Sequence, residues 1–77
     1  MSADVEIATF DRGRGERLAV LWRVYEGFHF VDVRVQRLGT DGAWRSAGSG
    51  VTVKARELFG FADAITKACD RLKSVKR

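Results

Sequence analysis

The chain has one cysteine, Cys69, and one histidine, His29, among its 77 residues. A single cysteine excludes a disulfide framework within the chain and a cysteine-based zinc site, and it fits a reducing compartment. A lone histidine likewise argues against a histidine metal cluster. No run approaches the roughly 18 to 20 apolar residues needed to span a bilayer, and Met1 to Phe10 carry no cationic segment followed by an apolar one. These absences predict a soluble, cytoplasmic protein with no metal, no cofactor and no membrane partner. Catalytic patterns are missing too: there is no histidine–cysteine pair in a local motif and no glycine-rich fingerprint between a strand and a helix. An enzyme is not expected.

Lysine is absent before Lys54, whereas the basic residues from Asp11 to Arg45 are all arginines: Arg12, Arg14, Arg17, Arg23, Arg34, Arg37 and Arg45. Fourteen basic against ten acidic side chains leave a formal charge of +4, which favours polyanionic partners. The planar arginine fork both binds phosphate and stacks on a base, which an ammonium cannot do. The competing reading is a solvated sheet face, partly neutralised by Asp11, Glu16, Glu26, Asp32 and Asp41.

The segment from Glu16 to Leu38 organises the rest, as two long strands joined at Glu26-Gly27. Leu18, Val20, Trp22 and Val24 alternate with Arg17, Ala19, Leu21, Arg23 and Tyr25; Val31, Val33 and Val35 alternate with Phe30, Asp32, Arg34 and Gln36. Period-two alternation of this kind predicts a sheet with one apolar face and one carrying cations and rings. Asp4 to Phe10 reads as a first strand, with Asp11 to Gly15 as the hairpin loop behind it. Gly39 to Gly42 forms a further loop. Ser46 to Gly50 reads as a small, flexible connection that lacks the spacing and lysine of a phosphate-binding loop, and Val51 to Val53 as a short fourth strand.

From Ala55 to Leu72 the period becomes helical, with Leu58, Phe61, Ala62, Ile65, Ala68, Cys69 and Leu72 on one stripe. No capping side chain precedes Ala55, and Cys69 reads as a small core residue. The expected fold class is therefore α+β: residues 1–77 form one domain, a four-stranded antiparallel sheet followed by one C-terminal helix (ββββα). The helix is expected to cover one face of the sheet and leave the other open. So short a chain has a marginal core, which makes a homodimer the expectation. Phe59, off the helix stripe, and Phe28 and Phe30, where strand three is apolar on both faces, are the candidate dimer contacts.

On the open face Arg17, Arg23, Arg34, Tyr25 and Phe30 combine charge with rings, and Arg12 and Arg14 sit at the first hairpin tip. Phosphates attract arginines without regard to sequence, and unstacked bases lie on aromatic rings, so this face suits single-stranded nucleic acid. Duplex readout fits less well, since no helix-turn-helix is visible. Asp32 and Arg34, two apart on one strand, read as an ion pair rather than as an acid–base couple. A second buried face in an oligomer remains the alternative for Tyr25, Phe30 and Leu21.

Several segments together resemble the family of transcriptional positive cofactor 4. Arg23-Val24-Tyr25-Glu26-Gly27 is similar to the end of that family's second strand. Val31-Asp32-Val33-Arg34 resembles its most recognisable strand, Asp41-Gly42-Ala43-Trp44 its acidic-glycine turn, and Gly50-Val51-Thr52-Val53 its step into the helix. The resemblance runs from Glu16 to Ile65. It implies a homodimeric ββββα domain that binds single-stranded or locally melted DNA as a transcriptional coactivator or accessory regulator of the transcription machinery, nucleoid-associated in a bacterium. It also implies Tyr25 as a base-stacking residue, Arg34 as part of the structural signature, and Arg17, Arg23, Arg37 and Arg45 as backbone contacts. The chain departs from the pattern at Ser46 to Ser49, where the family has a proline and a lysine-rich loop, and at Arg37, where a stacking aromatic is common. Those departures leave open a homodimeric protein-interaction scaffold with weak or no nucleic-acid binding, and a binder of single-stranded RNA is a further alternative because stacking and phosphate contacts do not discriminate the sugar.

Overall fold

The computed structural model describes residues 4–75. Four antiparallel strands follow one another in space as in sequence: β1 (Val5–Gly13), β2 (Glu16–Tyr25), β3 (Phe28–Leu38) and β4 (Trp44–Lys54), with α1 (Ala55–Val75) behind them. This is the expected ββββα order. The two long central strands end where the alternation predicts, because Glu26 (φ 49°) and Gly27 (φ 82°) both adopt positive φ. That is the signature of a tight hairpin turn whose twist matches the flanking strands.

Two segments differ from the sequence reading. The expected loop from Asp11 to Gly15 shrinks to Arg14-Gly15, and β1 runs on to Gly13 with register shifts between Glu6 and Ala8 and between Asp11 and Gly13. Ser46 to Gly50 is not a connection either: it lies within β4, which pairs with β3 from Trp44 onward. The register shifts between Arg34 and Gln36 of β3, opposite Gly50 and Ser46, so a run of small residues forms an irregularity in the strand. Both edge strands thus carry irregularities that interrupt a flat, pairing-competent edge. At Gly50 the packing is tight. A Cβ there would come within 2.6 Å of the Val33 carbonyl oxygen and would overlap the Arg34 side chain, so only glycine fits opposite Arg34.

Register assigns the paired side chains to faces, since directly opposed residues project the same way. One face carries Val5, Ala8 and Phe10 of β1, Leu18, Val20, Trp22 and Val24 of β2, His29, Val31, Val33 and Val35 of β3, and Val51 and Val53 of β4. His29 belongs to this apolar set and lies with its ring centroid 5.4 Å from that of Trp22. The opposite face carries Arg17, Arg23, Tyr25, Phe28, Phe30, Asp32 and Arg34.

The expectation that the helix covers a sheet face is not met. Helix α1 touches only β3 and β4, none of its residues is buried, and only Leu58 on its stripe is half-buried. Ile65 is 50% exposed, and Cys69, expected in a core, is exposed as well. The helix begins on Lys54, whose backbone N–H donates to the Glu57 carboxylate at 2.9 Å. That is one half of a capping box, supplied from inside the helix rather than by a capping side chain before it. From this start the helix runs clear of the sheet it was expected to cover.

Among the described residues only Ala19, Val31 and Val53 are buried apolar side chains, and Ala19 lies on the opposite face from the two valines. The surface is 6198 Å², against roughly 4,700 Å² expected of a compact chain of this mass. The radius of gyration is 14.6 Å, where a compact domain of this length would have about 11.5 Å. The chain is an open structure whose apolar sheet face is mostly half-buried, exposed at Val5, Phe10 and Val51, and whose helix stripe is largely exposed.

Candidate nucleic-acid interface

The polar face is built around Asp32. Its side chain is 5% exposed, and it holds groups from three strands. Arg23 Nη1 of β2 lies 3.3 Å from its Oδ2, and Arg34 Nη2 of β3 lies 3.4 Å from its Oδ1. Thr52 Oγ1 of β4 donates to the same Oδ1 at 2.7 Å. A buried carboxylate without such partners would be strongly unfavourable, and here its oxygens are occupied by two cations and a hydroxyl. The expected Asp32–Arg34 pair is therefore present, and Arg23 joins it across the strands.

Arg23 also reaches Asp4, 3.4 Å away. Arg17 donates from Nε to Gln36 Oε1 at 2.7 Å, and its Nη2 lies 3.6 Å from Glu6. The Arg17 guanidinium stacks 4.3 Å from the centroid of the Trp44 ring. Trp44 belongs to this face through its pairing with Leu38, and its ring was not among the sequence candidates. The signal for it was the parity of β4, concealed because Ser46 to Gly50 reads as a loop.

Arg37 and Arg45 do not join this group. Register sets them opposite one another on the apolar side, at the far end of β3 and β4. Arg37 is bound to Glu16, whose carboxyl is held below its usual range chiefly by that hydrogen bond. Arg45 grips Asp41 through two nitrogens, at 3.1 and 2.6 Å. This grip, aided by the Ala43 backbone N–H, pulls the Asp41 carboxyl down to about 2, and Asp41 in turn raises the Arg45 guanidinium. Arg45 thus closes the β3–β4 turn, while Arg37 ties β3 to β2 at the same end of the sheet. Arg12 and Arg14 lie exposed at the first hairpin tip, and neither has a carboxylate within ion-pairing distance among the described residues.

Rings cluster at the opposite end of the polar face. Tyr25 and Phe28 are directly opposed across the β2–β3 turn, 66% and 73% exposed, and Phe30 stands half-buried behind them opposite Arg23. Beside these rings a pocket of about 560 Å³ opens between the β2–β3 turn and the start of α1. Phe28, His29, Phe30, Thr52, Lys54 and Arg56 line it. Phe28 and Phe30, candidate dimer contacts from sequence, are thus on the ring-bearing face. Phe59 is 86% exposed on the helix, apart from both. Lys54 and Arg56 were missed as candidates, although Thr52 and Lys54 share the parity of the open face.

The arrangement offers exposed rings at one end, free cations at that pocket and at the hairpin tip, and a centre in which arginine charge is already neutralised. Replacing Asp32 tests this division. Asp32→Asn leaves Arg23 and Arg34 without their shared carboxylate, and is expected to lower stability in thermal or denaturant unfolding by about 1 to 3 kcal/mol. The loss stays below that of a fully buried pair because both guanidiniums retain water contact. A variant as stable as the parent would show that the cluster does not hold the strands.

Compared with protein-family models, with curated proteins and with solved structures, the chain matches none.

Proposed function

We propose that this chain is a non-catalytic homodimer that binds single-stranded or locally melted DNA and acts as an accessory regulator or coactivator of transcription. The observation that carries the reading is the Tyr25 and Phe28 pair: two large rings, side by side and open to solvent, at the end of a sheet face rich in arginine. Rings that a soluble chain leaves exposed are platforms on which unpaired bases stack, each contributing about 1 to 3 kcal/mol without demanding a particular base. Among the described residues, Arg14 at one end, and Lys54 and Arg56 at the other, have no carboxylate within ion-pairing distance, while Arg12 helps to hold the Glu16 carboxyl down. A strand laid along this face meets charge at both ends and rings at one.

The openness of the chain supports the dimer. Roughly 1,500 Å² of surface beyond that of a compact chain, an uncovered valine-rich sheet face and an uncovered helix stripe are complementary within one sequence. A second copy supplies to each the apolar partner that its own chain withholds. This leaves the ring-bearing face for nucleic acid.

A second reading has an observation of its own. Arg17, Arg23, Arg34, Arg37 and Arg45 each have a carboxylate within 4.0 Å, so the charge available to phosphate is smaller than the arginine count implies. On that ground the same dimer could serve as a protein-interaction scaffold with weak nucleic-acid affinity. A single-stranded RNA partner would use the same contacts as DNA, since stacking and phosphate charge do not read the sugar.

Two measurements test the proposal. Tyr25→Ala is expected to retain the fold and weaken binding of a labelled single-stranded oligonucleotide by roughly fivefold or more; unchanged affinity removes Tyr25 from the interface. Ile65→Asp is expected to convert a sedimenting dimer into monomer, because a carboxylate on the helix stripe cannot be buried without a partner. A dimer that persists contradicts the place given to the helix.

A further inference from the structure

The pocket between the β2–β3 turn and the start of α1 has a chemistry that the rest of the polar face lacks. Its volume of about 560 Å³ falls within the range of small-ligand sites, about 300 to 1,000 Å³. Phe28 and Phe30 project from the same side of β3, and Phe30 is directly opposed by Lys54 of β4. Arg56, in the first turn of α1, lines the pocket alongside them. Among the described residues, neither Lys54 nor Arg56 has an ion-pair partner, in contrast to the five arginines of the strands that hold carboxylates. The nearby Glu57 carboxylate is engaged by the Lys54 backbone N–H and does not line the pocket. Two aromatic walls with two unneutralised cations at the rim fit a planar ring carrying a phosphate.

We propose that this pocket is a nucleotide subsite. It takes one base of a bound single strand against Phe28 and Phe30 and places the adjoining phosphates on Lys54 and Arg56. The inference rests on the single-strand reading above and gives it a direction, since the strand would run from the Tyr25 ring into the pocket. The Thr52 hydroxyl donates its proton to Asp32, so toward the pocket it offers only acceptor capacity. The subsite is thereby coupled to the carboxylate that ties the strands together.

The test is fluorescence anisotropy of a labelled oligothymidylate over a salt series, with the parent protein, the Lys54→Ala/Arg56→Ala double variant and Phe28→Ala. Each phosphate contact contributes about 0.7 to the slope of log affinity against log salt for a single strand. The double variant is expected to lose about 1.4 from that slope, two contacts' worth. Phe28→Ala removes no charge and is expected to weaken binding roughly fivefold or more with the slope unchanged. If the parent binds and both variants match it, the pocket is not a subsite while the single-strand reading stands. If the parent does not bind at low salt, the reading and the subsite fall together. Sedimentation of Phe28→Ala closes the remaining route: a shift from dimer to monomer would mean that the pocket receives a second copy of this chain, and would overturn the assignment.

Discussion

One carboxylate sets the register on which this structure depends. Asp32 draws Arg23 from β2, Arg34 from its own strand and Thr52 from β4 onto its two oxygens. A slip of one residue between any two of these strands would carry a valine to where Asp32 must be, and turn the apolar set toward the opposite face. Hydrophobic alternation alone favours the same register, but with Ala19, Val31 and Val53 the only buried apolar side chains among the described residues it has little burial to enforce it. The polar cluster supplies the specificity that a larger core would otherwise provide. Its position also decides the electrostatics of the face, because the arginines nearest the centre are the ones it neutralises.

That neutralisation moves the reactive part of the face outward. Among the described residues, cations without an ion-pair partner beside this face lie at Arg14 of the hairpin tip and at Lys54 and Arg56, and the exposed rings lie at the β2–β3 turn. The apolar side has the opposite need. Its helix stripe is largely exposed and most of its strand side chains are only half-buried, and the proposed second copy would cover both. On the proposed reading the two faces divide the work of the protein: association with a second copy on one, and contact with an unpaired strand on the other.

Much of this was legible in the residues, and the rest was not for identifiable reasons. The central hairpin from Glu16 to Leu38 was readable because period-two alternation and Glu26-Gly27 agree, and the helix because its apolar spacing is unambiguous. The length of β4 was hidden by Ser46 to Gly50, whose small residues look like a loop yet remain in the ladder with an irregular register. With it went the placement of Trp44 against Arg17. Arg37 and Arg45 were grouped with the other arginines through the family resemblance, whereas their parity in the paired strands sets them on the apolar side. The path of the helix was the deepest loss. Amphipathicity tells that a stripe will be covered, and not whether its own sheet or another chain covers it.

The account stands most directly on whether the ring-bearing face holds an unpaired strand. Anisotropy of a labelled, unstructured single-stranded DNA, competed with unlabelled duplex across a range of salt, measures this with the intact protein. The account predicts binding that survives excess duplex and weakens as salt rises, since the rings need unstacked bases and the cations need phosphates. Absence of binding at low salt, or equal displacement by duplex, would contradict it and leave the dimer as a scaffold for protein partners.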